Sequence, residues 1–182
     1  MASNPYAPPQ AAVADVPQAA SGQPTFFAVS VLKLIVLSIC TFGLYEIYWF
    51  YQNWKMIRDR TGENVWPLPR ALFPVFFCYQ LFKRIRDQRP DLDSARLAAG
   101  PLATVWIILS LLWRAPDPYG MIVFAAVFVL APVQAAANTV NAADAPGHDP
   151  NSRFGVLNWI GVVLGGLLFL LALIGAFLPM MA

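Results

Sequence analysis

The sequence predicts an all-α, polytopic helical membrane protein with about four transmembrane helices and an interfacial helix in a basic cytoplasmic loop. Its 182 residues are 58% hydrophobic and only 12% charged, whereas soluble domains carry roughly 25% charged residues. Charge is absent from three runs of 17, 26 and 29 residues, which are Leu97–Trp113, Pro118–Ala143 and Phe154–Ala182. Crossing ~30 Å of hydrocarbon takes about 20 mostly apolar residues, so runs of this kind predict membrane spans.

The first 25 residues form a tail rich in Ala and Pro, with Asp15 as its only charge. Such a composition cannot bury a core, so the tail 1–25 is predicted to be disordered. The remainder, 26–182, is the predicted membrane domain. No basic region precedes the first apolar segment in the manner of a secretory signal, so we expect that segment to stay in the protein as an anchor.

The first span is predicted over about 26–51, where a continuous helix would be ~39 Å long. Lys33 lies near one end, where its aliphatic stem allows the ammonium to reach the headgroups. Thr41-Phe42-Gly43 is the weak point of this segment, because Gly43 permits a kink or a break.

The segment 53–96 is basic and holds nine of the twelve Lys and Arg residues. Within it, Ala71–Phe82 is apolar but would reach only ~18 Å as a helix, too short to cross. We therefore expect an interfacial helix over about 71–86, with rings at its start and the cations Lys83, Arg84 and Arg86 at its end. The alternative is a packed helix of a small cytoplasmic subdomain.

The remaining spans are predicted over about 97–113, 119–140 and 156–178. The third span ends with the amides Gln134, Asn138 and Asn141 along one helical face. The last carries Gly161-x-x-x-Gly165, a spacing of small residues that favours close helix packing in lipid.

Basic residues beside membrane spans tend to remain cytoplasmic. Four spans with the loop 53–96 inside place the tail and the C-terminus outside. That arrangement puts ten basic residues inside, Arg153 among them, and only Arg114 outside.

Aromatic rings crowd the end of the first span that lies next to the basic loop. Tyr and Trp favour the headgroup level of a bilayer, and basic residues there meet anionic phosphates. The predicted membrane-interface residues are Tyr45, Tyr48, Trp49, Tyr51, Trp54, Lys83, Arg84 and Arg86. Glu46 lies among the rings, where we expect an Arg or Lys of the loop to pair with it; the alternative is a ligand site.

The stretch TFGLYEIYWFYQNWK, residues 41–55, resembles the T-[LF]-G-[IL]-Y-x-[IL]-Y-W-x-Y-x-N-W-K signature of a family of uncharacterised bacterial membrane proteins, a domain-of-unknown-function group. With RALFPVFFCYQLFKRI, residues 70–85, the resemblance covers about 26–86. It implies an inner-membrane location and no assigned activity. The opening NPYAPPQAAVAD is similar to openings of small inner-membrane families that are commonly cytoplasmic. A cytoplasmic tail would require the first segment to enter and leave on one side, breaking at Thr41–Gly43.

Residues for catalysis are sparse. His148 lies in a Pro/Gly loop without a second ligand at a fixed spacing, and Cys40 and Cys78 form no metal-binding spacing. We therefore expect no catalytic, cofactor or metal site and no nucleic-acid binding. The expected partners are anionic headgroups of the bilayer, with a protein partner or a second copy left open.

The leading hypothesis for function is a non-enzymatic membrane scaffold or interaction protein with a basic, aromatic cytoplasmic face. The second is a small-solute transporter or channel component that uses the Thr41–Gly43 break and the polar face of Gln134 and Asn138. The third is a membrane-embedded enzyme.

Overall fold

The computed structural model describes residues 22–116 and 118–181. Throughout these residues the fold is helical and contains no strand. The α-helices are α1 Val31–Cys40, α2 Leu44–Thr61, α3 Pro67–Leu72, α4 Pro74–Asp87, α5 Ala99–Leu111, α6 Ala126–Asp144 and α7 Val156–Met181. Shorter 3-10 segments cover Asp93–Arg96, Leu112–Arg114 and Tyr119–Ala125. The predicted disordered tail lies outside the described residues up to position 21.

Helices α1 and α2 form a hairpin. Phe42 and Gly43 have positive φ angles of 52° and 85°, and the Gly43 N–H closes the end of α1 by donating to Ser38 O at 2.8 Å. Beyond the turn the chain runs back, so that the Phe27 N–H reaches Asn53 Oδ1 at 3.1 Å. The single span expected over 26–51 is therefore replaced by two antiparallel helices, because the left-handed turn interrupts the helical hydrogen bonds.

Helix α5 is shorter than the span expected over 97–113. It begins at Ala99 and gives way to a 3-10 segment at Leu112, ahead of Pro116. At 1.5 Å per residue its helical part reaches only ~20 Å. The correction follows from the prolines, because Pro101 restricts the helix start and Pro116 prevents its continuation.

Two stretches of helix are long and apolar enough to cross a membrane, Tyr119–Asp144 of 26 residues and Val156–Leu178 of 23 residues. The sequence predicted four spans; in the described residues the first is divided into two helices, and the second, Ala99–Arg114, is apolar but shorter than these two.

Helices α1 and α7 are parallel neighbours. Contacts between them occur at three levels, Lys33 with Arg153, Cys40 with Gly165, and Phe42 with Phe169. Phe169 is ~20 Å along α7 from its start. The tip of the α1–α2 hairpin therefore lies just past the middle of the longest apolar helix.

The interfacial helix expected over 71–86 is divided at Phe73 into α3 and α4, because Pro74 starts a new helix. One face of α4 is buried through Cys78, Leu81, Phe82 and Ile85, and the opposite face exposes Phe76 and Tyr79. The structure thus combines the two alternatives for this segment, a packed helix with one exposed aromatic face. The core lies between α4, α2, α5 and α6.

Candidate functional site

The amide side chains of α6 hold a non-helical backbone segment, Thr25–Val29, against the helix. Asn141 forms a closed pair with Phe26, accepting from its N–H at 2.8 Å and donating to its carbonyl at 2.9 Å. Gln134 Nε2 donates to Phe27 O at 3.1 Å, and Asn138 Nδ2 donates to Val29 O at 3.0 Å. Buried backbone groups without a partner are costly, so these amides satisfy the segment where no strand or helix does.

Gln134 is fully buried and also accepts a hydrogen bond from the Trp49 indole. Its Nε2 group also donates to Asn138 Oδ1 at 2.8 Å. The polar face that the transporter hypothesis assigned to a solute is therefore occupied by protein groups. This removes one of the two sequence features on which that hypothesis depends, while the Thr41–Gly43 break remains.

The aromatic residues predicted at the membrane interface separate into two groups. Trp49 and Trp54 are fully buried, whereas Tyr48 is 45% exposed, and Tyr45 and Tyr51 are partly buried against the core. The two Trp residues thus form core instead of an interfacial belt, because Arg70 of α3 lies over the Trp54 ring and Gln134 of α6 accepts from the Trp49 indole. Phe50, Trp49 and Trp106 stack edge to face with centroids 5.0 and 5.2 Å apart.

Arg70 is a basic residue that the sequence did not single out. Its guanidinium lies 4.4 Å from the centroid of the Trp54 ring and 5.0 Å from that of Phe77. It donates to Gln80 Oε1 at 3.1 Å. An Arg between two aromatic rings is held by cation–π attraction. Arg70 therefore links α3 to α2 through Trp54 and to α4 through Phe77.

The three predicted headgroup-binding cations differ in their surroundings. Arg84 donates twice to the Glu63 carboxylate, at 3.0 and 2.6 Å, and this hydrogen bond lowers the pKa of Glu63. Arg86 pairs with Asp87 at 2.7 Å. Within the described part of the chain, Lys83 makes no ion pair. Exposed pairs contribute little net stability, so phosphate groups are able to compete for these cations.

A cleft of about 500 Å³ opens between the end of α2 and α4. Its lining includes Arg60, Lys83 and Arg84 together with the polar residues Thr61 and Gln80. Asp87 is the acidic residue of the lining, and it already pairs with Arg86. The cleft therefore carries an excess of positive charge and offers hydrogen-bond donors to an anion.

Arg89 ties this basic region to the end of α6. It pairs with Asp144 at 2.6 Å and with Asp91 at 2.8 Å, and hydrogen bonding to Arg89 lowers the pKa of Asp91 to about 2. Asp144 also accepts from the Thr25 hydroxyl at 2.6 Å. Thr25, at the N-terminal side of α1, thus lies at the same end of the molecule as the basic segment.

Glu46 lies in the first turn of α2. The expected partner was an Arg or Lys of the basic loop, but the hydrogen bond to its carboxylate comes from the Trp106 indole at 3.3 Å. The hairpin turn explains the difference, because it places Glu46 at the end of α2 that is far from the basic segment.

The two glycines of α7 have different surroundings. A Cβ added at Gly165 would overlap the carbonyl oxygen of Cys40 and would lie 2.7 Å from its carbonyl carbon. A Cβ at Gly161 would meet nothing within 4 Å. The expected close contact therefore holds for Gly165, against α1, and not for Gly161, which faces open space although it lies one turn earlier on nearly the same face of the helix.

His148 lies in the loop after α6, with its ring Nδ1 2.9 Å from the carbonyl of Ala145. In 22–116 and 118–181, no group of three or more His, Cys, Asp or Glu side chains is placed to hold a metal ion.

Large apolar side chains are exposed on several helices, among them α3, α4, α5 and α7. Trp66, Leu68, Leu72, Phe73 and Phe76 form an exposed surface on α3 and the start of α4, each more than half exposed. Along α7 exposed aliphatic residues continue from Leu157 at 83% to Leu178 at 61%.

Comparison with protein-family models, with curated proteins and with solved structures gave no match.

Proposed function

We propose that this chain is a multi-pass bacterial inner-membrane protein that acts by interaction, as a non-enzymatic scaffold that engages anionic headgroups through a basic, aromatic face. The observation that carries the proposal is the exposed surface of α7. Within its 23-residue span, Val156–Leu178, only 6% of the most apolar part is buried. The sequence from Phe154 onward carries no charge. A contiguous apolar surface of this length would be insoluble in water and matches the hydrocarbon thickness.

The charge distribution supports a membrane placement with the basic segment at one surface. Arg60 lies ~25 Å along α2 from Gly43, at the tip of the hairpin. Val156, at the start of α7, lies ~20 Å along that helix from Phe169, which contacts the same tip. The basic cleft therefore falls a few ångströms beyond the start of the α7 span, at headgroup depth.

The proposed topology differs from four spans. The α1–α2 hairpin enters and leaves on the basic side, because Thr25 and the end of α2 lie at the same end of the molecule. Arg60 also donates to the Gln23 carbonyl at 3.3 Å. Helix α5 then leads outward, Tyr119–Asp144 returns, and α7 leads outward again. Arg114 is then the outer cation, in accord with the positive-inside tendency.

The cleft residues Arg60 and Lys83 are the proposed headgroup contacts. The exposed ring of Phe76, two turns before Lys83 on the same face of α4, supplies apolar insertion that hardly depends on salt. Each basic residue near an anionic surface contributes about 1 kcal/mol, which decreases as salt shortens the Debye length.

The test is thermal unfolding of the full chain in lipid nanodiscs, neutral phosphatidylcholine against the same lipid mixed with phosphatidylglycerol. We expect the anionic discs to raise the melting temperature of the parent, and added salt to reduce the gain. The variant Arg60→Gln/Lys83→Gln should lose ~2 kcal/mol of that gain, or about 4–8 °C for a chain of this size.

Arg114→Gln is the matched control, because it removes one positive charge at the opposite end. It should keep the full response to anionic lipid. Equal melting of the parent in both kinds of disc would refute headgroup engagement. Equal loss in the control and the cleft variant would show that net charge, and not the cleft, is responsible.

A further inference from the structure

Glu46 is a carboxylate that headgroup binding does not use. It faces a cavity of about 230 Å³ at the tip of the α1–α2 hairpin. The lining comes from three parts of the chain, the hairpin, the end of α5, and the segment that leads into α6. Its main members are Phe42, Gly43, Glu46, Ser110, Trp113 and Phe124.

The carboxylate of Glu46 is poorly satisfied for an acid in apolar surroundings. Among the residues that the structure describes, no Lys or Arg forms an ion pair with it. Its hydrogen bond from the Trp106 indole is long, at 3.3 Å, whereas a carboxylate has about four acceptor positions. A charge taken out of water is costly unless it is paired, so an ionised Glu46 at this position requires a cation as its partner.

We propose that this cavity binds a small organic ammonium ion, with the Glu46 carboxylate as the counter-ion and the rings of Phe42, Trp113 and Phe124 around it. Aromatic rings attract organic cations by their negative faces, and quaternary ammonium groups are bound in this way. The inference is independent of headgroup binding, since the two sites lie at opposite ends of the α1–α2 hairpin.

The lining favours an organic ammonium over a metal ion. Calcium takes six to eight oxygen ligands, and magnesium requires octahedral coordination, whereas in the described part of the chain, 22–116 and 118–181, the lining side chains that carry oxygen are Glu46 and Ser110. The rest of the lining is glycine and apolar residues, which suits methyl groups. The volume of about 230 Å³ corresponds to about eight waters at ~30 Å³ each, enough for a tetramethylammonium-sized ion.

The cavity lies at the end of α5 that is far from the basic cleft. Ser110 and Trp113 belong to this end, next to the turn that carries Arg114. The Arg114 guanidinium lies 5.2 Å from the centroid of the Trp113 ring, so this ring already contacts a cation of the chain itself, and a ligand would have to share the ring with it or displace it. A ligand would therefore reach Glu46 from the side opposite the basic face.

The test uses the full chain in maltoside micelles, which carry no ammonium group of their own. Tetramethylammonium chloride is titrated while tryptophan fluorescence and the heat of binding are followed, with sodium chloride at equal ionic strength as the reference. We expect a saturable response to tetramethylammonium, none to sodium, and exclusion of the larger tetrabutylammonium.

Glu46→Gln keeps the shape and the acceptor for Trp106 but removes the charge, so it should bind at least about tenfold more weakly. Glu46→Asp retains the charge and should bind, less tightly than the parent. Glu63→Gln, which removes a carboxylate at the other end, is the matched control and should bind like the parent.

Absence of saturable binding by the parent would overturn the proposal, whatever the variants do. So would a sodium response equal to that of tetramethylammonium, or a folded Glu46→Gln variant with the affinity of the parent. If Glu46→Gln does not fold, the contrast between the parent, Glu46→Asp and the two sizes of ammonium ion decides.

Discussion

Gly165 provides the sharpest test of how α1 and α7 pack. In Gly165→Ala the new Cβ would overlap the Cys40 carbonyl oxygen and lie 2.7 Å from the carbonyl carbon. Carbon atoms pack at about 3.5–4.0 Å, so clearing the carbonyl carbon alone takes about 1 Å, and clearing the nearer carbonyl oxygen requires α7 to move away from α1 by more than about 1 Å. The obstacle is backbone at the end of a helix and cannot rotate aside as a flexible side chain would.

The cost of the substitution follows from two opposing effects. Overpacking that forces a backbone shift costs up to about 3 kcal/mol, and replacing Gly by Ala within a helix returns up to about 1 kcal/mol. The net loss is therefore about 2 kcal/mol, which corresponds to a melting temperature lower by about 4–8 °C. Thermal unfolding in micelles, followed by circular dichroism, measures this shift.

Gly161→Ala is the matched control in the same helix. A Cβ there meets nothing within 4 Å, so only the gain in helix propensity applies, and the variant should melt at or above the parent. The two alanine variants thus shift the melting temperature in opposite directions. Equal effects of the two, or a Gly165→Ala variant as stable as the parent, would contradict the packing of α1 on α7.

Two further predictions concern polar contacts. Asn141→Leu leaves the N–H and the carbonyl of Phe26 without their partner, so the free energy of unfolding should decrease by about 2–4 kcal/mol in a denaturant titration. Thr139 is exposed on the same helix, and Thr139→Ala should leave the free energy of unfolding nearly unchanged in the same titration. Because Arg84 lowers the pKa of Glu63 in the folded state, the pair stabilises the fold above the unfolded-state pKa of Glu63. That contribution is lost as the pH falls through the lower folded-state pKa of Glu63. In Glu63→Gln this loss of unfolding free energy at acid pH should be absent. If the variant loses stability with falling pH as the parent does, the Glu63–Arg84 pair is not responsible.

The sequence predicted the helical class and the two long apolar helices, because composition and uncharged length are local properties. It also marked Thr41–Gly43 as the weak point of the first segment. It did not decide between a kink and a reversal, because that depends on contacts of Phe27 with α2 and of Phe42 with Phe169. These contacts join residues far apart in the chain.

The candidate sites were harder to predict for the same reason. The amide stripe of α6 was visible in the spacing, but its partner is the backbone of Thr25–Val29, which carries no side-chain pattern. Rings at a bilayer surface and rings in a core have the same sequence signature, so Trp49 and Trp54 were assigned to an interface. Arg70 was missed because one Arg among apolar residues does not reveal that two rings enclose it.

The central claim is that α1 and α2 form a hairpin that enters and leaves on the basic side of a membrane. Single cysteines at Gln23, at Glu63 and after Ala182, in a Cys40→Ala/Cys78→Ala background, test it through labelling of intact cells with a membrane-impermeant maleimide. We expect the C-terminal cysteine to be labelled in intact cells, and those at positions 23 and 63 only after the membrane is permeabilised. Labelling of position 23 in intact cells, with position 63 still protected, would show that the first segment crosses the membrane and would contradict the hairpin.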